Sequence, residues 1–272
     1  MKYYKFSIVI ANYNYGKYLE SAILSVINQN YSSKELIIID GGSSDNSVEI
    51  IQKYQKDIDY WVSEKDQGQS DAFNKGFDKA SGDYYFWLNA DDFLLSDALW
   101  IMNKSIHHHK HTEWFCFNTL YIDESNTVLR AYRGLSWCHK IMKNLGPQVD
   151  AATSVFSKEM YEASLKFDLK LYWAMDNDLW YQFMNKGYTY KRINHFIYAF
   201  RIHGGSKTMK NGFKFERSEE QVAQTNYLME KNNFYPNYRY MPLNRLYKLF
   251  TILIPTILSN WKYKRTVLYV KK

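Results

Sequence analysis

Cysteine is scarce. Only Cys116 and Cys138 occur among 272 residues. Two thiols cannot build a disulfide framework, and the count fits a reducing compartment. Long hydrophobic runs are missing as well. No stretch approaches the roughly 18 uninterrupted apolar residues of a membrane-spanning helix, so none is expected. The opening residues Met1 to Phe6 enter an apolar segment at once, so no signal peptide is expected. Nor is there a strong excess of one charge, because 28 acidic residues are spread among 35 basic ones, for a formal +7. That balance argues against nucleic acid and allows attraction to anionic substrates or lipid headgroups. What is abundant is aromatic: 18% of the chain, with 25 Tyr. Tyr suits partly wet surfaces such as sugar sites and membrane interfaces. Ordinary core is an equal alternative.

The chain is long enough for one large domain, or a domain plus an appendage. Strand-like and helix-like patterns alternate through its first half. Phe6 to Ala11 is an apolar run closed by Asn12-Tyr13-Asn14. Leu19, Ala22, Ile23, Val26 and Ile27 then mark one face of a helix. Leu36 to Ile39 is a second run, stopped by Asp40-Gly41-Gly42, and Ser44 or Asp45 caps the helix that follows. Ile58 to Val62 is a third short strand. A helix over Ala72 to Ala80 leads to a fourth, Tyr84 to Leu88. This alternation predicts an α/β fold with a mostly parallel sheet, whose ligands bind beyond the carboxyl ends of the strands.

The second half is less regular. A helix is expected from Ser96 to about His109. Strands are expected at Trp114 to Tyr121 and Val128 to Tyr132, around a Glu124-Ser125-Asn126 turn. Further strands are expected at Ala152 to Phe156, Tyr188 to Ile193 and Phe196 to Ile202. Helices are expected from Lys158, from Asp176 to Gly187, and over Phe215 to Lys231. No repeat or linker divides residues 1–240, which split into a nucleotide-binding half (about 1–110) and an acceptor-binding half (about 111–240). In 241–272, apolar residues at helical spacing from Leu243 to Leu258 are flanked by Arg245, Lys248, Lys262, Lys264 and Arg265. This tail has the pattern of an interfacial amphipathic segment kinked at Pro255. The alternative is a helix packed on its own domain or on a partner subunit.

Several residues carry candidate chemistry. The run Tyr85-Phe86-Trp87-Leu88 ends in Asn89-Ala90-Asp91-Asp92. Two adjacent acids at a strand exit repel each other and stay hydrated unless something binds there. A divalent cation, magnesium or manganese, is the obvious ligand, completed by diphosphate oxygens. A turn or helix cap is the plain alternative. Asp40, followed by two glycines, could accept a base N–H or a ribose hydroxyl, or could merely shape its turn. Asp176 and Asp178 sit in a helix's first turn, where capping competes with a general-base role. Their i, i+2 spacing lets at most one face the reaction. His203, Lys207 and their neighbouring glycines make a plausible diphosphate clasp, with His203 a possible metal ligand. His107 to His109 and His111 close a helix, where cationic His is favourable without any metal.

Five segments in order, Ser7 to Asn14, Ile38 to Asp45, Gly68 to Gly76, Leu88 to Asp92 and Met175 to Trp180, closely resemble the motifs of family 2 glycosyltransferases. The resemblance covers about residues 5 to 210. It implies a GT-A fold, a nucleotide-diphosphate sugar donor, UDP-linked by expectation, and inversion at the anomeric carbon. It implies that Asp40 holds the base and that Asn12, Tyr13 and Asn14 line the nucleotide pocket, with Gly41, Ser70, Asn89 and Ala90 beside the donor. It further implies that Asp91 is the metal ligand with His203, that Asp176 is the catalytic base, and that Lys207 lies in a loop closing over the diphosphate. Three positions depart from the family pattern: Asn89 and Gly41 replace acids, and Phe73 replaces a frequent Arg.

The expected activity is transfer of a sugar to a hydroxyl of a glycan or lipid-linked acceptor in cell-surface polysaccharide synthesis, in the cytoplasm at the inner face of the membrane. The alternatives are a nucleotidyltransferase and a non-catalytic sugar-nucleotide-binding protein. The first would bring a glycine-rich basic loop where Asn12 to Lys17 stands. The second fits poorly with Asp40, Asp91 and Asp176 occurring together.

Overall fold

A computed structural model of the protein describes residues 2–149, 151–206 and 218–270. Its first half runs β1 (Phe6–Asn12), α1 (Gly16–Ile27), β2 (Lys34–Asp40), α2 (Ser47–Lys53), β3 (Tyr60–Ser63), α3 (Gln69–Lys79) and β4 (Tyr84–Asn89). These four strands pair in parallel in the order β3-β2-β1-β4. They read as unbroken apolar runs because helices bury both faces. Leu19, Ile23 and Val26 of α1 pack with Ile8, Ile10 and Ile38 on one side. Ala72, Phe73 and Phe77 of α3 pack with Val9, Ile37 and Ile39 on the other. Gly76 permits that contact, since a Cβ there would stand 2.3 Å from Val9 Cγ1. Asn12 lies level with Asp40, and Ala11 with Asn89. The register therefore sets the candidate residues along one sheet edge.

The second half adds β5 (Phe93–Leu94), α4 (Ala98–His108), β6 (Trp114–Ile122), β7 (Val128–Tyr132), α5 (His139–Leu145), β8 (Ser154–Ser157), α6 (Lys158–Ala163), α7 (Met175–Asn185) and β9 (Tyr190–Arg201). β8 runs antiparallel between β4 and β6 and joins the halves into one sheet, continued by β9 and β5, with β7 on β6. The two strands expected between Tyr188 and Ile202 are one. Asn194 and His195 look like a turn, but they are exposed residues opposite an irregularity in the β6 register. Neither β5 nor α5 was expected. Asn46, not Ser44 or Asp45, stands at the N-cap of α2 and makes no side-chain cap; Asp45 Oδ1 instead accepts from the Ser47 amide at 3.0 Å, one residue outside the cap.

Much of the aromatic content is core. Trp180 of α7 stacks between Trp87 of β4 and Trp114 of β6, with ring centroids 5.5 and 5.0 Å apart. Phe73, at the third departure from the family pattern, is fully buried against Phe77, Trp87 and Phe167.

After the undescribed residues 207–217, α8 (Glu219–Lys231) begins with a capping box between Ser218 and Gln221. It is followed by α9 (Met241–Lys248), a π-helical turn (Leu249–Leu253) and α10 (Ile254–Tyr263). Pro255 occupies the first turn of α10, where it needs no amide partner. The tail lies on β7. Asn260 Oδ1 accepts from the Ala131 amide at 2.6 Å, and Ser259 Oγ accepts from Arg133 Nε at 2.8 Å. Packing on its own domain, one of the two alternatives, thus holds for one face of the tail. Among the described residues no helix is long and apolar enough to cross a membrane.

Away from the ligand edge, buried Glu35 joins the start of β1 to the α3–β4 turn. It accepts from Ser7 Oγ (2.5 Å), the Ser81 amide (2.6 Å) and Ser81 Oγ (2.7 Å), and it pairs with Lys5 Nζ at 2.6 Å. Burial alone would raise its pKa, but the bonds from Lys5, Ser7 and Ser81 outweigh it and the carboxyl is held below its ordinary value. A depressed carboxyl stabilises the fold above its unfolded pKa, and that contribution is lost as pH falls through the folded value. The Glu35→Gln protein should melt about 1–3 kcal/mol less stable at neutral pH. Its melting temperature should also depend less on pH between roughly pH 5 and pH 3. Superimposable melting-temperature profiles for the two proteins would refute this.

Candidate active site

At the β1–β2 edge the polar side chains hold one another. Asp40 is fully buried. Its Oδ1 accepts from Asn12 Nδ2 (2.6 Å) and Ser43 Oγ (2.5 Å), and its Oδ2 from the Ser43 amide (2.9 Å) and Ser63 Oγ (2.6 Å). Asp40 therefore shapes the turn in this state, and any contact with a base runs against those bonds. Asn14, at φ 57°, donates its amide to Ser43 Oγ, and its Oδ1 accepts from the Ser44 amide. Tyr13 is 60% exposed and free to cover a planar ligand. Asp66 was missed in the sequence. It lies against Gly41, where a Cβ would stand 2.8 Å from its Oδ2. What approaches the Gly41 backbone is thus a carboxylate of the chain itself. Burial pushes the Asp66 carboxyl up. Its one signal in the sequence is its position two residues before Gly68, whose amide its Oδ1 accepts at 2.8 Å.

The loop after β4 separates its two acids. Asp92 is buried, accepting from Tyr198 Oη (2.7 Å), the Arg201 amide (2.7 Å) and Asn89 Nδ2 (2.9 Å). Burial first, and Asp91 second, hold its pKa well above the ordinary value. Asp92 is an anchor that ties this loop to the end of β9. The anchor accounts for Asn89, because an acid at 89 would set a second charge beside a buried carboxylate instead of a donor. Asn89 Oδ1 in turn accepts from Gln69 Nε2 at 3.2 Å, and Ala90 is buried.

Asp91 is only partly buried, its side chain 15% exposed, with Oδ2 3.0 Å from His203 Nε2. His203 follows Arg201, whose Nε donates to the Asp91 carbonyl and whose Nη1 donates to Asn126 Oδ1 across the β6–β7 turn. The His203 ring is walled by Tyr18 and Tyr15, with centroids at 4.6 and 5.9 Å. Burial, then Asp91, pushes Tyr15 up to about 12. Among the described residues no group of three His, Cys, Asp or Glu could hold a metal. Asp91 and His203 supply one carboxylate and one imidazole. That set fits a magnesium or manganese ion taking its other ligands from diphosphate and water. Lys207 lies outside the described residues.

On the acceptor side, Asp176 sits in the first turn of α7, its Oδ1 accepting from the Asn177 amide at 2.9 Å. Asp178 is fully buried and structural. It accepts from Gln182 Nε2 and Lys231 Nζ, each at 2.8 Å, and from Asn232 Nδ2 at 2.9 Å, which fastens α8 to α7. Only Asp176 of the two can face a ligand. Ser70, placed with the donor residues by resemblance, is buried, and its Oγ lies 3.4 Å from the Leu171 carbonyl and 3.2 Å from Met175 Sδ. The adjacent Gln69 and Ser70 thus touch the Asp91 loop on one side and the approach to Asp176 on the other.

A family model described as "Glycosyl transferase family 2" matches residues 7–158, more than half of the chain. The chain belongs to that family. Among relatives of this transferase, the GalNAc(5)-diNAcBac-PP-undecaprenol beta-1,3-glucosyltransferase of Campylobacter jejuni is 30% identical over 73% of the chain and 64% of its own length. The Staphylococcus aureus TarS fragment 1–349 in complex with UDP-GlcNAc superposes with a TM-score of 0.62 at 16% identity, covering 82% of this chain and 65% of that one. The mannosyltransferase PcManGT of Pyrobaculum calidifontis, in complex with GDP-Man and Mn2+, gives 0.56 at 13% identity, covering 85% and 72%. The chain spans under two thirds of the first two, and the two structures establish the GT-A type of fold. The expected fold class therefore holds.

Proposed function

We propose that this transferase moves a sugar, with inversion, from a UDP-sugar to a hydroxyl of a glycan or lipid-linked acceptor in cell-surface polysaccharide synthesis. The observation that carries the proposal is the adjacent pair Gln69 and Ser70, whose side chains reach Asn89, two residues before Asp91, and Met175, next to Asp176, while Asp91 itself meets His203. The UDP-GlcNAc in the TarS fragment supports the donor, and the name of the Campylobacter relative supports a lipid-linked acceptor.

In this reading Asp176 takes the proton of the acceptor hydroxyl as its oxygen bonds to the anomeric carbon. The bond from that carbon to the diphosphate breaks on the opposite face, and the nucleoside diphosphate leaves. Asp91 and His203 would hold a divalent cation, which when bound offsets the charge gathering on the leaving diphosphate. His203 flanks that charge, and Lys207, outside the described residues, is assigned to it by the family resemblance alone. Asn12 to Asn14, Asp40, Gly41 and Asp66 form the nucleoside end. The protein works in the cytoplasm, peripherally at the inner face of the membrane.

A thermal-shift screen of nucleotide sugars with and without manganese tests the donor assignment. A UDP-sugar with manganese should raise the melting temperature, by linkage of about 2.7 kcal/mol at a hundredfold excess over Kd. No shift with any nucleotide sugar, together with no release of UDP, would overturn the reading.

A further inference from the structure

The tail helices are amphipathic in the reverse of the usual sense. In α10, Thr256 and Ser259 are buried against β7 beside Asn260, and their oxygens accept from the Arg133 amide (3.4 Å) and Arg133 Nε (2.8 Å). The outward face is apolar: Leu246, Phe250, Leu253, Ile257 and Leu258 are 50–65% exposed. Their spacing of four, three and four residues keeps Leu246, Phe250, Leu253 and Ile257 in one row. A helix on a water-soluble domain ordinarily turns its apolar stripe inward. Among the described residues, contacts of Tyr263, Leu268 and Val270 with the domain leave this row uncovered.

Charge identifies what covers it. Seven of the 35 basic residues and none of the 28 acidic ones fall in residues 241–272. The first 240 residues therefore carry 28 basic against 28 acidic, and the whole positive excess belongs to the tail. Arg245, Lys262, Lys264 and Arg265 beside the row are exposed.

We infer that the outward face of α9, the π-helical turn and α10 is the docking surface for a bilayer rich in anionic lipid, with the apolar row at the acyl boundary and the basic side chains among the headgroups. This rests on the peripheral location proposed above and names its surface and its lipid class. A second copy of the chain fits less well, because a two-fold contact would bring like-charged tails together.

The test is co-sedimentation of the full chain with vesicles of phosphatidylcholine, alone or with about 30% phosphatidylglycerol. UDP release from UDP-GlcNAc in free solution is measured in parallel. The wild type should bind anionic vesicles, and binding should fall several-fold on neutral vesicles and in high salt. Phe250→Glu with Ile257→Glu should cut binding roughly tenfold or more, with melting temperature and UDP release unchanged, because both side chains are exposed. Lys262→Gln, Lys264→Gln and Arg265→Gln together should remove the preference for anionic lipid. Wild-type protein left in the supernatant, or a double variant that binds like the wild type, would overturn the inference. So would a wild-type dimer that the double variant splits in the absence of vesicle binding. A wild type that binds vesicles but releases no UDP would instead count against the proposed activity.

Discussion

Replacing Asp176 with asparagine should lower turnover by about 10²–10⁴-fold while leaving donor affinity unchanged. Asn177 donates its amide to Asp176 Oδ1, and an asparagine oxygen accepts the same bond. The substitution therefore keeps the first turn of α7 and removes only the capacity to take a proton. Asp178, two residues on, cannot substitute, because its oxygens are engaged by Gln182, Lys231 and Asn232 in the core. Steady-state transfer rates measured beside calorimetric donor binding check this. Near-normal turnover would remove Asp176 from the base role, and an equal loss of donor binding would make it structural.

The Asp91→Ala protein should lose manganese-dependent donor binding, at least about a hundredfold, because a carboxylate facing a divalent cation cannot be replaced by a methyl group. Its melting temperature should change little. Removing Asp91 relieves a like-charge repulsion on buried Asp92 and gives up the contact with His203, two effects of opposite sign. The pairing of these readouts separates a ligand from an anchor. Calorimetry with a UDP-sugar and manganese that matches the wild type would refute the metal assignment. A collapse in melting temperature would show that Asp91, like Asp92, holds the loop in place.

The parallel half of the sheet was legible in the sequence because each of its strands is an apolar run closed by turn chemistry, and each helix shows one apolar face. β5 was not, because two residues carry no period. β9 was divided in two because Asn194 and His195 imitate a turn where the strand only loses register. In the site, the acid pair was visible but the division of labour within it was not. That Asp92 faces inward follows from Tyr198 and Arg201, more than 100 residues away. Asn89 looked like a departure from a motif, and becomes intelligible only beside the buried carboxylate to which it donates. Asp40 closes β2 at the sheet edge and Ser70 lies in the first turn of α3, and in the described state their hydrogen bonds go to the chain itself. The tail's period was plain, but a period gives a face without saying which side it turns to the protein.

Strand β7 has β6 on one flank only. On its other flank the tail supplies the missing partners. Asn260 takes the Ala131 amide, Thr256 takes the Arg133 amide, and the Thr266 carbonyl takes the Val128 amide at 2.8 Å. Cutting the chain before residue 241 would therefore strip the proposed docking surface and uncover a sheet edge in the same stroke. A bare edge recruits strands from other molecules. A truncated protein lost from the membrane fraction could then sit in inclusion bodies, its misassembly mistaken for a lost anchor.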